Sequence, residues 1–599
     1  MTLFDKAETL RGKAGESYWA SRIASQIGYA LKLSAASGGR HDGAIERAIR
    51  PLAGSLEENG AITAAAARQA ERALSVLSPA AKELKIICAA HAHIDMNWQW
   101  GYQETAALTI ETFRTVLDLM REYPAMTFSQ SQASVYEIVE KHDREMLGEI
   151  RALVREGRWE VTASTWVEAD KNMPNGESMA RHILYAKSYL SRLLGISPDA
   201  LQLDFEPDTF GHSMLVPEIL SKGGVKYYYH CRGHDKEWLY KWQAPSGASV
   251  LACREPMWYG GPASYDMLLD APQWCARYGV DAMLKVYGVG DHGGGPTRRD
   301  IEIIADMMEW PVMPTIKFGT FHEFFGLIER HAAKLPVVTG ELNFIQTGCY
   351  TSQGRIKMAN RIAEDRLYAA EAVCAAASAL SQKSYAESFR KAWENTLFSQ
   401  FHDILPGSCI NETREYAMGR FQDTLAAANI NIASAMRGIA AQIDTSAVEL
   451  EFDRLATSEG AGAGLWMSQA SGCWVLPGSP GYRFPQTERG NGKARIYHIF
   501  NPTAFDREGP AEIAVWDWPY DLGRISVERI GEARIGGERP HGERIGEARI
   551  GGERISEARI GGERPHGERI GEVRIGGESP HGERIGEARI GGERISEAR

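Results

Sequence analysis

The hydrophobic pattern of the chain changes character several times along its length. Residues 1–85 place apolar side chains at helical spacing, which predicts several amphipathic helices without visible chemistry. Residues 86–325 alternate short apolar runs, which suit buried strands, with helix-like segments such as Thr105 to Glu122. This alternation is typical of parallel βα folds. We therefore predict an α/β fold class, with a parallel βα, barrel-like catalytic domain at residues 86–345.

The pattern becomes helical after Tyr350. Three long segments follow with short connections: Arg355 to Gln382, Tyr385 to Gln400 and Glu415 to Ile443. Helices joined in this way pack against each other, so residues 346–445 are predicted to form a three-helix bundle.

The C-terminal part changes composition twice. After about Gly460 it is rich in Gly, Ser, Trp and Pro, and strand-like runs near Ile499 and Val515 predict the start of a β-sandwich domain at residues 446–524. Residues 525–599 are a pentamer repeat dominated by Gly, Glu and Arg. A period of five matches neither a helix nor a strand, so this tail is predicted to be disordered. A pentapeptide β-helix is the alternative, but glutamate occupies its inward position in many units.

Composition narrows the class of protein. The 599 residues are 44% hydrophobic and 24% charged, as in a globular protein with a large core. The formal net charge of -11 leaves no excess of cations to neutralise phosphates, so we expect no nucleic-acid partner. The N-terminus has no apolar leader and the chain has no long apolar run, which predicts a cytoplasmic protein without a membrane partner. The eight cysteines are scattered, which fits reduced thiols.

The first candidate site follows the apolar run Ile86 to Ala90. His91, His93 and Asp95 come directly after it, and residues two apart in an extended segment point the same way. Imidazole and carboxylate together suit zinc, so this stretch predicts a metal site. The alternative is that these histidines satisfy backbone carbonyls or cap the next helix.

Two carboxylate-bearing segments follow other strand-like runs. Glu168 and Asp170 lie in an acidic loop that leads into a helix near Glu177. Asp208 follows the strand-like run after Leu201, which would place it at the same rim as Asp95. Helix capping or turn chemistry is the alternative role for Asp208.

Two more segments join the candidates. Asp291 and His292 precede three consecutive glycines in a loop that lacks the ending of a phosphate-binding P-loop. This loop is predicted to line a sugar pocket, with a purely structural turn as the alternative. His402 and Asp403 stand at a helix end before a Pro-Gly turn, which is another ligand position.

Taken together, these motifs resemble the α-mannosidases of glycoside hydrolase family 38. The matching segments are His91 to Asp95 with Trp98, Asp208 to Ser213, Tyr350 to Gln353 and Phe401 to Asp403. Their order and spacing match the family over about residues 86–410.

The resemblance implies a zinc ion held by His93, Asp95, Asp208 and His402. It also makes Asp208 the nucleophile of a retaining mechanism and Trp98 the floor on which the sugar stacks. A nitrogen and oxygen ligand set would admit Co²⁺ or another divalent ion as well.

The acid/base residue is less sharply defined. In the family it lies shortly before the Tyr-Thr-Ser segment, which makes Glu341 the first choice and Asp291 the second. Further candidates for contacting the sugar or supporting the metal, each with a structural role as the alternative, are His91, Glu168, Asp170, His212 and Tyr350.

The expected function is that of a zinc-dependent retaining α-mannosidase acting on terminal mannosides of short oligosaccharides. Relatives are often oligomers, so a homo-oligomer is expected. A zinc hydrolase of amide or ester bonds and a non-catalytic remnant that binds only sugar or metal are the alternatives. Members of the family continue into a long β-sandwich, whereas here that part stops near Leu522, so the resemblance implies a C-terminally truncated member with a repeat tail.

Overall fold

The computed structural model describes residues 17–444 except Asp235, Phe344 and Gln382, together with residues 498–508. It also describes three isolated positions before residue 17 and the backbone of six short strands between residues 511 and 590. The chain divides into two compact units, residues 1–371 with 384–431 and residues 372–383 with 432–599. The candidate site lies within the first unit.

Helices precede the first strand, as the apolar spacing predicts. They are α1 (Tyr18–Ala36), α2 (Asp42–Asn59), α3 (Ala64–Leu74) and α4 (Ser78–Lys82). The side-chain oxygens of Ser17 and Thr63 accept backbone hydrogen bonds at the starts of α1 and α3. Gly60 ends α2 in the left-handed conformation, with φ 68°.

A three-stranded parallel sheet is built around β1 (Lys85–Ala90). This strand lies between β8 (Ala282–Tyr287) and β9 (Thr315–Phe318). Residues 86–90 are all buried, which explains why the run is apolar without alternation. Beyond the strand, His91 forms a parallel bridge to Ser129, at the centre of β2 (Phe128–Gln130).

The remaining strands of the first unit form a parallel pair and a five-stranded sheet. The pair is β2 with β3 (Trp159–Val161). The larger sheet has the order β10–β6–β7–β5–β4, in which β4, β5 and β7 are parallel. Its strands are β4 (Leu203–Glu206), β5 (Tyr227–His230), β6 (Leu239–Gln243), β7 (Ser249–Arg254) and β10 (Val337–Thr339).

Helices connect these strands and cover the sheets. They are α5 (Tyr102–Glu122), α6 (Ala133–His142), α7 (Met146–Arg155), α8 (Gly176–Leu194), α9 (Val216–Lys222), α10 (Ala271–Tyr278), α11 (Arg298–Met308) and α12 (Phe321–Glu329). Met179 and Ile183 of α8 pack in one core cluster with Tyr228 and Trp242 of the five-stranded sheet. The predicted parallel βα architecture is confirmed.

Three long helices follow, in agreement with the predicted bundle. They are α13 (Gly354–Ser381), α14 (Ala386–Phe398) and α15 (Asn411–Ala440). No helix among the described residues is long and apolar enough to cross a membrane.

Most of the predicted β-sandwich start lies outside the described residues. One strand, β11 (Ala511–Asp517), pairs with β15 (Arg569–Ile575). The other described strands fall in the repeat segment, for which the sequence predicts disorder: β12 (Ala548–Ile550), β13 (Glu553–Ile555), β14 (Ala558–Ile560) and β16 (Ala588–Ile590). The rest of that segment lies outside the described residues.

A buried charge cluster stabilises the end of β4, just before Asp208. Lys171 Nζ lies 2.9 Å from Asp204 Oδ2 and 2.7 Å from Glu206 Oε1, and all three side chains are fully buried. Asp204 and Glu206 are two residues apart on β4 and therefore point to the same side. Burial raises the pKa of Glu206 well above its usual value, an effect that Lys171 opposes and Asp204 increases. One lysine thus compensates neighbouring buried acids.

Replacement of this lysine is expected to be costly. Lys171→Met should lower the free energy of unfolding by about 3–5 kcal/mol, because it leaves buried carboxylates without their cation. Denaturant titration of both proteins measures the effect. Lys222→Met is the matched control, since Lys222 is 75% exposed in its pair with Glu218 and its removal should cost about 1 kcal/mol or less. Equal losses in the two variants would contradict the role of the cluster.

Candidate active site

Four of the predicted residues converge at the carboxyl end of β1. His93 Nε2 lies 2.9 Å from Asp95 Oδ1, and Asp95 Oδ1 lies 3.6 Å from His402 Nε2. The same nitrogen of His402 is 3.8 Å from Asp208 Oδ2. The two histidines and Asp95 are buried, while the Asp208 side chain is 14% exposed. The structure therefore brings together all four residues that the resemblance names as metal ligands.

Separate loops carry these side chains, and backbone hydrogen bonds connect the loops. His93 and Asp95 follow β1, Asp208 follows β4, and His402 follows α14. The amide of Asp95 donates to the carbonyl of Asp291 over 2.9 Å, and the amide of Ile410 donates to the carbonyl of Trp98 over 3.0 Å. The site is thus assembled at strand and helix ends, where α/β folds place their chemistry.

Glu168 contacts both histidines. Its Oε2 lies 2.9 Å from His93 Nδ1, and its backbone carbonyl accepts a hydrogen bond of 2.8 Å from His402 Nδ1. A carbonyl only accepts, so Nδ1 of His402 carries a proton, and when the ring is neutral its Nε2 turns a lone pair toward Asp95 and Asp208. This is the orientation in which an imidazole binds a metal.

His91 supports Glu168 and is not placed to contact a sugar. Its Nε2 lies 3.2 Å from Ser131 Oγ, which donates to Glu168 Oε1 over 2.5 Å. Its ring packs against Phe205 at 4.3 Å between centroids. Burial, reinforced by His93, lowers the pKa of His91 well below its usual value, so the ring stays neutral.

The cluster has the charge and geometry to hold a divalent cation. Buried His93 Nε2, Asp95 Oδ1 and His402 Nε2 have no hydrogen-bond partner of good geometry among the described residues. Successive ligand atoms lie 2.9 Å apart from His93 to Asp95, 3.6 Å from Asp95 to His402 and 3.8 Å from His402 to Asp208, which is compatible with a divalent ion.

Nearby acids increase this need for a cation. Burial lowers the pKa of His93, but the charges of Glu168 and Asp95 raise it well above its usual value. Buried Asp403 adds a further carboxylate, with Oδ2 3.9 Å from His402 Nε2. Its pKa is raised to about 7, chiefly by burial. A bound divalent ion would offset this excess of negative charge.

Arg232 contacts the other side of Asp208. Its Nε donates to Asp208 Oδ1 over 2.5 Å, so one carboxylate oxygen is paired with the guanidinium and the other faces His402. Arg232 follows β5 and was not predicted from the sequence. Its guanidinium carbon lies 5.7 Å from the Phe210 ring and 5.1 Å from the Trp258 ring.

His212 anchors the loop that carries Arg232. The carbonyl of Arg232 lies 3.2 Å from His212 Nε2 and 2.7 Å from His230 Nδ1. The hydroxyl of Tyr228 lies 2.6 Å from His212 Nδ1. Because His212 is buried with both ring nitrogens engaged, the structure does not place it for the predicted sugar contact. Burial lowers the pKa of His212 well below its usual value.

Asp291, the second choice for the acid, lies beside the cluster. It is half-buried, and Tyr259 donates a hydroxyl hydrogen bond to its Oδ1 over 3.3 Å. Burial raises the pKa of Asp291, an effect that His93 opposes and the charges of Asp95 and Asp208 increase. A carboxyl group with a raised pKa suits a general acid.

Glu341, the first choice, lies elsewhere. It is exposed, and no described residue forms a hydrogen bond or ion pair with it. The neighbouring Leu342 pairs with His212 through both backbone hydrogen bonds and is buried, whereas Glu341 faces solvent. The structure therefore favours Asp291 over Glu341.

The glycine-rich loop after β8 packs closely against the loop that carries His93 and against Thr112 of α5. A Cβ at Gly290 would lie 2.9 Å from His93 Cβ, and one at Gly293 would lie 2.4 Å from Thr112 Oγ1. These glycines therefore permit close packing, which agrees with the structural alternative for the loop. The loop presents Asp291 with φ 65°, a left-handed conformation that aspartate tolerates better than most residues.

The other predicted residues lie around the site. Asp170 Oδ1 accepts the backbone amides of Asn172 and Met173 at 2.9 and 2.7 Å, which is turn chemistry. Tyr350 accepts a hydrogen bond of 2.6 Å from Asn172 Nδ2. Trp98 is half-buried, with the Trp100 ring edge-on at 6.0 Å.

Two contributors were missed in the sequence: Arg232 and Tyr259. Arg232 follows β5 and Tyr259 follows β7, so their position after parallel strands was the available signal. Asp403 was predicted together with His402 as a ligand position, and its Oδ2 lies 3.9 Å from His402 Nε2.

Comparison with known sequences agrees with this geometry. Residues 83–342 match the glycosyl hydrolases family 38 N-terminal domain, and residues 345–439 match the alpha mannosidase middle domain. The chain belongs to glycoside hydrolase family 38.

Family 38 relatives include alpha-mannosidases from several eukaryotes. Alpha-mannosidase G of Dictyostelium discoideum is 29% identical over 385 residues, which cover 63% of this chain and 35% of the relative. Alpha-mannosidase 2C1 of Homo sapiens is 28% identical over 362 residues, which cover 59% of this chain and 34% of the relative. The chain thus spans about a third of the length of these curated relatives.

A solved structure has the same fold over the matched part of the chain. The alpha-mannosidase from Enterococcus faecalis V583 superposes with a TM-score of 0.56 at 20% sequence identity. The superposition covers 61% of this chain and 44% of that one.

The contacts of Glu168 predict its effect on metal affinity. Glu168→Gln removes the carboxylate from His93 Nδ1 while its backbone carbonyl still orients His402. We expect zinc affinity to fall about 10- to 100-fold, as for other groups that orient a metal-binding histidine. Competition with a chelator of known affinity measures this.

The matched control is Glu255→Gln. Glu255 is also buried, but its side chain contacts Tyr229 and not His93 or His402. It should leave zinc affinity unchanged. Unaltered affinity in Glu168→Gln would show that His93 does not depend on this contact for metal binding.

Proposed function

We propose that this chain is a zinc-dependent retaining α-mannosidase that hydrolyses terminal α-mannosides. The observation that carries the proposal is the environment of Asp208, which has Arg232 on one oxygen and His402 near the other. Asp291, with its raised pKa, faces the same cluster. The names of the family 38 relatives support the choice of substrate.

His93, Asp95, Asp208 and His402 would hold the zinc ion, for which cobalt is a chemical substitute. A bound zinc ion supplies a Lewis acid that can bind sugar hydroxyls and stabilise developing charge. Glu168 orients His93 and His402, and His91 supports Glu168 through Ser131. Trp98 offers the apolar face on which the mannose ring stacks.

In the first step, Asp208 attacks the anomeric carbon while the bond to the leaving oxygen breaks. Asp291 gives its proton to that oxygen, so the leaving group departs as an alcohol. The product of this step is a mannosyl ester of Asp208. Arg232 keeps the attacking carboxylate in place through its bond to Oδ1.

In the second step, Asp291 is the base. It removes a proton from a water molecule, whose oxygen attacks the anomeric carbon and displaces Asp208. Two displacements restore the original configuration of the sugar. Tyr259, which donates to Asp291, keeps this carboxyl group directed at the cluster through the cycle.

The proposal extends to substrate, location and assembly. Short oligosaccharides with terminal α-mannose in the cytoplasm are the proposed substrates, and the net charge of -11 is the reason to expect no nucleic-acid partner. The proposed catalytic domain spans residues 86–345, and a homo-oligomer is the proposed assembly.

The first test is turnover of a nitrophenyl α-mannoside by the purified chain. Activity should be lost on chelation, restored by zinc, and lost in Asp208→Asn at equal metal content. The exposed Asp199→Asn is the control and should match the wild type. A fluorosugar that traps the intermediate should label Asp208, as read by mass spectrometry. Metal-loaded, folded protein without turnover would refute the proposed function.

A second test separates the two acid candidates. Asp291→Asn should reduce the rate about 10²–10⁴-fold for substrates whose leaving group needs a proton, because that is the usual contribution of general acid catalysis. Dinitrophenyl mannoside needs little proton assistance and should be affected far less in the first step.

Glu341→Gln is the matched variant, and steady-state rates on both substrates provide the comparison. This variant should hydrolyse both substrates at the wild-type rate. The reverse pattern, with loss in Glu341→Gln and none in Asp291→Asn, would reinstate Glu341 as the acid.

A further inference from the structure

An indole ring is exposed beside the proposed catalytic carboxylates. Trp258 is 45% exposed, in the loop that follows β7. Its ring lies 4.6 Å from the Tyr259 ring at an interplanar angle of 33°, and 5.1 Å from the Arg232 guanidinium carbon. Two neighbouring side chains thus pack against this large apolar side chain, while nearly half of its surface remains open to solvent.

The two supports of Trp258 connect it to both carboxylates. Arg232 is hydrogen-bonded to Asp208, the proposed nucleophile. Tyr259 is hydrogen-bonded to Asp291, the proposed acid. The exposed indole therefore lies one side chain away from each of the groups between which the glycosidic bond would be broken.

The base of this loop is well anchored. Buried Glu255 accepts a hydrogen bond of 2.9 Å from the Tyr229 hydroxyl, and its amide donates to the carbonyl of His230 over 2.8 Å. Met257, next to the indole, is 70% exposed and extends the apolar surface. An anchored loop that displays two large apolar side chains to solvent is suited to binding a ring with an apolar face.

The chemistry of the proposed reaction indicates which ring this would be. The leaving group departs on the side of the acid, which is the side of Asp291 and Tyr259. If that leaving group is a sugar, the C–H face of its ring can stack on an indole. Trp98, in the loop after β1, is already assigned to the mannose that is transferred.

We propose that Trp258 is the platform for the leaving-group sugar and makes the chain prefer oligosaccharides to simple mannosides. This inference rests on the proposed function. The competing role for Trp258 is to hold Arg232 by a cation–π contact. That role would affect every substrate equally, because Arg232 acts on Asp208 whatever the leaving group.

The test compares α-mannobiose with methyl α-mannoside, whose leaving groups are both alcohols and differ in the presence of a ring. In Trp258→Ala, kcat/KM for mannobiose should fall about tenfold, while that for methyl mannoside should stay within about twofold of the wild type. Trp258→Phe keeps a ring and should recover most of the mannobiose activity. Tyr368→Ala, which removes another exposed aromatic side chain on α13, should alter neither.

The outcomes separate the two roles. Equal loss on both substrates would overturn the platform in favour of a clamp on Arg232. Unchanged activity on mannobiose would also overturn it.

A binding measurement keeps the inference testable if the chain shows no turnover, which would refute the proposed function alone. Calorimetry with a thio-linked mannobiose should show about tenfold weaker binding to Trp258→Ala, with binding of free mannose unchanged. Equal affinity of wild type and variant for the thio-linked disaccharide, or no binding to either, would overturn the platform.

Discussion

The candidate site depends most on the contacts by which Glu168 orients His93 and His402. The carboxylate of this residue meets His93, and its carbonyl meets His402. Glu168, on the loop after β3, therefore determines which nitrogen of the His402 ring is protonated and how the His93 ring is oriented. Ser131 and His91 in turn hold Glu168, so the order of the site extends back into the buried interior of the βα domain.

Asp208 is also positioned by a residue that makes separate contacts through its side chain and its backbone. The side chain of Arg232 binds this carboxylate, while the carbonyl of Arg232 is held by His212 and His230. Lys171 forms ion pairs with Asp204 and Glu206 at the end of β4, the strand that precedes Asp208. The groups proposed to do chemistry are few, and the buried side chains of His212, His230 and Lys171 support the backbone and strand around Asp208. Trp258 is the opposite case, since 45% of its surface is exposed.

Much of the fold and part of the site could be read from the sequence, for identifiable physical reasons. The run Ile86 to Ala90 is apolar because both edges of β1 are paired and both faces are covered, and His93 and Asp95 share a side because the backbone stays extended. The choice of Glu341 rested on its spacing to the Tyr-Thr-Ser segment, which gives no information about exposure. The contacts of His212 could not be predicted, because Tyr228 and the carbonyl of Arg232 become its neighbours only through the pairing of strands.

The distance along the chain between His93 and His402 has a consequence for folding. These rings lie 402 − 93 = 309 residues apart in sequence, yet their centroids are 5.6 Å apart. An unfolded chain holds no preformed site of this kind, so an ion bound between them would favour the folded state by mass action. The supply of that ion would then influence how much of the protein is folded as well as how much is competent for chemistry.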